Sequence, residues 1–117
     1  MGKNKFSGVD ISGYRLMWMM VMFDLPVVTK KERKIYTKFR NFLLDEGFEM
    51  SQFSVYFRFC GPKERAEKFV RSIRNNSPEK GHISILFFTD QQFGSIINIQ
   101  NNRSVKNPEK PEQYLLF

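Results

Sequence analysis

Leu16 to Phe23 is an unbroken run of apolar side chains that ends at Asp24-Leu25-Pro26. A strand apolar on both faces belongs in the middle of a sheet. Proline has no N–H to give a ladder, so Asp24 falls at or just past the strand's end, where a side chain can leave the core. The pattern then changes period. Thr29 and Glu32 have the spacing of a capping box, Ile35, Tyr36, Phe39, Phe42 and Leu43 follow at helical intervals, and Gly47 stands just past the end, which predicts a helix over 30–46. Phe48 to Met50 is a short apolar-edged piece. Phe53, Val55, Phe57 and Phe59 alternate with Ser54, Tyr56, Arg58 and Cys60, which predicts a strand over 52–60. Gly61-Pro62 turns the chain, with the proline at the first position of a second helix whose stripe is Ala66, Phe69, Val70 and Ile73, fading by Asn75-Asn76. After the turn at Ser77 to Gly81, His82 to Thr89 is again β-branched and aromatic. Gly94 separates it from a short fifth strand within 95–99.

Strand, helix, strand, strand, helix, strand makes two β-α-β halves, each with one amphipathic helix. That order fits an α+β, ferredoxin-like βαββαβ sandwich with an additional C-terminal strand. Residues 1–13 read as a loose arm, 14–100 as the domain, and 101–117 as a polar tail whose last four residues, Tyr114 to Phe117, are apolar and suited to docking on a partner or a second protomer.

Composition narrows the chemistry. With 41% apolar and 15% aromatic residues in 117, the chain can bury one Phe-rich core and no more. Nineteen Lys and Arg against 12 Asp and Glu give a charge of +7, which favours a polyanionic partner over charge that serves solubility alone. A single cysteine, Cys60, excludes an intrachain disulfide framework and a Cys-type zinc site, so a reducing cytoplasm is expected. The apolar run at 16–23 is too short to span a bilayer. Neither a Walker loop nor a G-x-G-x-x-G fingerprint occurs, so ATP and dinucleotide chemistry have no basis in the sequence.

Asp24 is the leading candidate for chemistry. A carboxylate at a strand end can hold Mg²⁺ through a mostly hydrated sphere beside a phosphate, and two copies across a twofold axis could clamp one ion. Local sequence equally allows Asp24 to cap the Leu25-Pro26 turn. Arg15 precedes the first strand, Lys30, Lys31, Lys34 and Lys38 lie on the first helix, and the last three form a stripe able to follow a phosphate backbone or simply to face water. Arg58 lies inside a strand, where a buried isolated charge would be costly, so it is expected to meet a carboxylate or a phosphate. His82, the one histidine, reads as a surface residue, and Cys60 as packing.

Phe23-Asp24-Leu25-Pro26, Thr29 to Lys34 and Gln52 to Arg58 together resemble the small second CRISPR-associated protein family. The likeness continues through Gly81 to Leu86, Thr89-Asp90 and Phe93-Gly94 and so covers roughly 14–100. The later segment resembles members from systems with a single large effector nuclease. The resemblance implies a ferredoxin-like homodimer with Asp24 lining the dimer cleft as catalytic residue and Mg²⁺ ligand. It implies CRISPR integrase dimers as partners, which the homodimer bridges, and duplex DNA captured for spacer acquisition. It also implies endonuclease activity on single-stranded RNA or duplex DNA, separable from that scaffold role, and a C-terminal segment that exchanges between protomers or adds to a partner's sheet. Two other readings share the element order. An RNA-recognition module would stack bases on Phe53, Tyr56 and Phe57, although the usual K/R-G-F-G-F-V signature is missing. A toxin-like endoribonuclease would cleave without an integrase partner.

Overall fold

A computed structural model of the chain describes residues 16–111. The elements are β1 (Met17–Asp24), α1 (Lys30–Asp45), β2 (Glu49–Gln52), β3 (Val55–Gly61), α2 (Lys63–Asn75), β4 (His82–Thr89), α3 (Asp90–Gly94), β5 (Asn98–Gln100) and β6 (Arg103–Val105). The first four strands form an antiparallel sheet in the order β2-β3-β1-β4. This is the ferredoxin-like arrangement. β1 occupies an interior place, as its two apolar faces require. Its odd-numbered side chains, Met17, Met19, Val21 and Phe23, pack with Phe39 and Leu43 of α1 and with Ala66, Val70 and Ile73 of α2. Its even-numbered Trp18 and Met20 join Phe57, Phe59 and Phe93 on the opposite face.

The capping box forms as the spacing requires. Glu32 N–H donates to Thr29 Oγ1 at 3.1 Å, and Thr29 N–H donates to Glu32 Oε1 at 2.9 Å. Hydrogen bonding to the Thr29 backbone, its largest cause, holds the Glu32 carboxyl below its ordinary range. At the other end, Phe48 N–H reaches the Leu43 carbonyl and Gly47 N–H the Leu44 carbonyl, both at 3.0 Å, with Gly47 at φ +90. That pair of bonds is a Schellman stop, and only glycine adopts such a φ freely.

Three expectations need correction. The strand expected over 52–60 starts later, at Val55 of β3, because Phe53-Ser54 makes a turn with Ser54 at φ 62 and Gln52 ends the separate strand β2. Pro62 is the N-cap of α2, not its first residue: its φ of −73 is compatible with a helix, but its ψ of 168 is extended. The additional C-terminal strand is one arm of a β5–β6 hairpin, turned by Asn101 and Asn102 at φ 52 and 65. Positive φ at both central residues is the type I′ geometry that suits strand twist. A short α3 also intervenes, opened by a second capping box between Thr89 and Gln92.

Gly81, at φ +103, enters β4 tightly against the chain leaving β1. A Cβ there would stand 2.5 Å from Leu25 Cδ2 and 2.8 Å from the Asp24 carbonyl oxygen. Gly81→Ala is therefore expected to destabilise the fold by more than about 1 kcal/mol, read from the urea midpoint, because the backbone behind Asp24 has to move. An unchanged midpoint would contradict this close approach.

Candidate active site at the end of the central strand

Asp24 is the last residue of β1 and is exposed. In the antiparallel ladder it lies opposite His82, as Met22 lies opposite Ser84 and Val55. Directly opposed residues share a face, so Asp24 stands on the side of the sheet away from α1 and α2. Among the described residues its carboxylate has no side-chain partner. The turn-capping role is not adopted. His82 is exposed, with Nε2 3.3 Å from Ser84 Oγ.

The middle of the face that carries Asp24 is apolar, with Glu49, Ser84 and His82 at its margins. Met20, Val55, Phe57, Leu86 and Phe88 lie on it, and α3 covers the end near Trp18, where Phe93 stacks on the indole at 4.0 Å and reaches Phe57 with ring centres 5.6 Å apart. Met22, two residues before Asp24, is left 42% exposed. Two clefts, of about 1150 and 650 Å³, lie along α1 and between α1 and the α2–β4 loop, and Asp24 lines neither. The carboxylate thus sits at the edge of an open sheet face and needs a second surface to become enclosed.

That geometry tests the expected Mg²⁺. No group of three or more His, Cys, Asp or Glu able to hold a metal occurs among the described residues. Among the described residues Asp24 is therefore not part of a ready-made metal cluster. Mg²⁺ keeps several waters and takes one or two carboxylates, so Asp24, if joined by a second carboxylate from outside the chain, would fit this ion.

The basic residues divide. Lys30, Lys31, Lys34 and Lys38 are exposed on α1, and all four line the groove along it. Arg15 lies outside the described residues. Arg58 is built into the fold: Nε donates to the Glu46 carbonyl at 2.8 Å, Nη1 to the Phe59 carbonyl at 2.6 Å, and the guanidinium carbon lies 4.4 Å from the centre of the Phe69 ring. Its partners among the described residues are backbone carbonyls, where a carboxylate or a phosphate was expected. A cation at a helix C-terminus meets the negative end of the helix dipole, which explains a charge inside a strand. Glycine at 47 leaves room for it, since a Cβ there would be 2.9 Å from Arg58 Nε. Of the aromatic residues expected to stack bases, Tyr56 is 1% and Phe57 6% exposed, so these two are core; Phe53 is 86% exposed. Burial pushes the Cys60 thiol up to about 12, which leaves it inert as a nucleophile. No helix among the described residues is long and apolar enough to cross a membrane.

These features define a class: a ferredoxin-like α+β domain with an acidic strand end on an open sheet face and a lysine-lined helix on the other side. The family model for CRISPR associated protein Cas2 matches residues 17–96. A CRISPR-associated endoribonuclease Cas2 of Paracidovorax avenae is 48% identical over 107 residues, covering 92% of this chain and 99% of that protein. Proteins of the same name from Flavobacterium psychrophilum and Streptococcus mutans are 45% and 42% identical, covering 92% and 74% of this chain and 93% and 80% of their own lengths. The chain belongs to the Cas2 family of CRISPR associated proteins.

Proposed function

We propose that the chain is a homodimeric nucleic-acid-binding protein of CRISPR adaptation, with a Mg²⁺-dependent phosphodiesterase centre built from Asp24 of each protomer. The observation that carries this reading is the exposed Asp24, without a side-chain partner among the described residues, at the rim of a largely apolar sheet face. A second copy laid across that face buries Met22 and Val55 and brings two carboxylates together. Two such groups repel one another unless a cation neutralises them. A divalent ion held there supplies Lewis acidity toward a phosphodiester and a more acidic bound water. The chain's own part is to hold Asp24 at a fixed place, since β1 is paired on both sides up to its last residues.

The names of the relatives favour an RNA substrate for cleavage. The lysines of α1 serve a separate task, backbone binding to duplex DNA, and integrase dimers are the partners that the homodimer bridges during spacer acquisition. The reducing cytoplasm is the compartment that suits this work and the free, buried Cys60.

Binding by α1 has a direct signature. Each phosphate neutralised contributes about −0.9 to the slope of log affinity against log salt on duplex DNA. Replacing Lys31, Lys34 and Lys38 together by Ala is expected to make that slope shallower by up to about 2.7 per helix engaged, measured by fluorescence anisotropy over a salt series. A slope identical to wild type would place the duplex elsewhere.

A further inference from the structure

Phe53 lies at the tip of the β2–β3 turn and is 86% exposed. Its turn is tied down in two places. Phe23 N–H donates to the Ser54 carbonyl at 3.0 Å, and the Ser54 hydroxyl lies 2.9 Å from the Tyr36 hydroxyl. Ser54 sits at φ 62, a left-handed conformation that costs free energy for any residue with a Cβ. The chain thus holds in place a turn that leaves a large apolar ring in water. The first of these bonds also fixes where the turn is. Its donor residue, Phe23, is the chain neighbour of Asp24, and its acceptor residue, Ser54, is the chain neighbour of Phe53. The exposed ring and the exposed carboxylate therefore stand at the same end of the sheet, on adjacent strands.

Resting on the reading of Asp24 as a phosphodiester site, we infer that Phe53 is a stacking platform for an unpaired base of single-stranded RNA, next to the phosphate presented to Asp24. An aromatic face takes any base, so the contact selects for strandedness and not for sequence. A paired base is already stacked within its helix and cannot lie on the ring without being unpaired. Phe53 is the one member of the trio Phe53, Tyr56 and Phe57 free to do this, because the other two fill the core. It acts as a positioning residue: it holds the strand and leaves the chemistry to Asp24.

The test uses the full chain carrying Asp24→Asn, so that the RNA stays intact, with and without Phe53→Ala or Phe53→Trp. The probes are a short single-stranded RNA containing 2-aminopurine and a duplex of the same length. Phe53→Ala is expected to weaken single-strand binding by between about 5-fold and 150-fold, the range of one base–aromatic stack, while duplex affinity stays unchanged. The quenching of 2-aminopurine on binding is lost with Phe53→Ala and restored by Phe53→Trp. Unchanged single-strand affinity, an equal loss on the duplex, or a loss of self-association by sedimentation would each overturn the inference. Failure of the underlying nuclease reading shows separately, as cleavage by the otherwise wild-type chain that Asp24→Asn does not reduce.

Discussion

Asp24→Asn is expected to lower Mg²⁺-dependent cleavage of single-stranded RNA by at least about 100-fold, since the Lewis acidity of a bound metal stabilises a transition state by several kcal/mol and each 1.36 kcal/mol is a factor of ten. The substitution keeps the size of the side chain and removes only its charge. Thermal stability is expected to stay within about 0.5 kcal/mol of wild type, as for surface changes that break no contact, because Asp24 is exposed and has no side-chain partner among the described residues. On the proposed reading duplex binding is expected to be retained, because the lysines on α1 lie away from the strand end. Cleavage that persists in Asp24→Asn, or that EDTA does not stop, would move the activity away from this site. The scaffold reading would then stand by itself.

Trp18→Ala is expected to have the largest effect on stability. Trp18 is 3% exposed, stacks on Phe93 at 4.0 Å and meets Phe59 edge-on at 5.3 Å. Its indole N–H donates to Asp90 Oδ1 at 2.8 Å, while Lys110 Nζ lies 3.1 Å from Asp90 Oδ2. The residue therefore joins β1 to α3 and to the segment after β6. Truncating a buried tryptophan costs about 3–5 kcal/mol, a large share of the roughly 5–15 kcal/mol that holds a domain together. The urea midpoint should fall accordingly, and a loss under about 1 kcal/mol would contradict this packing. Trp18→Phe should lose less, since a ring remains against Phe93.

Acid pH gives a second readout of the same cluster. Burial raises the Asp90 carboxyl, but the hydrogen bonds from Trp18 and Lys110 and the Lys110 charge outweigh it, and the net shift is below the ordinary 3.8. A carboxyl depressed in the folded state stabilises the fold above its unfolded pKa and loses that contribution as pH falls through its folded pKa. The stability difference between wild type and Asp90→Asn should thus be full above about pH 5 and shrink as pH falls below it.

Much of this architecture is written in local patterns. The run at 16–23, apolar on both faces, requires a central strand, and β1 is one. Thr29 with Glu32 and the glycine at 47 set both ends of α1 to within a residue. The misses have equally local causes. Alternation from Phe53 to Phe59 concealed a turn, because Phe53 and Ser54 keep the hydrophobic rhythm while Ser54 reverses the backbone. The same alternation suggested one buried face on β3, but Tyr56 and Cys60 pack against the helices while Phe57 and Phe59 pack on the other side. A capping-box spacing at Thr89 and Gln92 signalled α3, and Asn101-Asn102 signalled a hairpin, both within a stretch that reads as loop and tail by composition. The exposed position of Asp24 at the strand end was legible because a carboxylate interrupts an apolar run. Arg58 was not, since its partners are carbonyls of the chain that packs beside it, and no side-chain pattern announces a carbonyl.

Manganese can stand in for Mg²⁺ and is visible by electron paramagnetic resonance, so a titration of the purified chain, with its mass in solution measured alongside, tests the paired-carboxylate site most directly. The expected result is one tightly held Mn²⁺ for every two chains, on a dimer, lost entirely in Asp24→Asn. One ion per chain, or binding that survives Asp24→Asn, would contradict a shared centre at the end of β1.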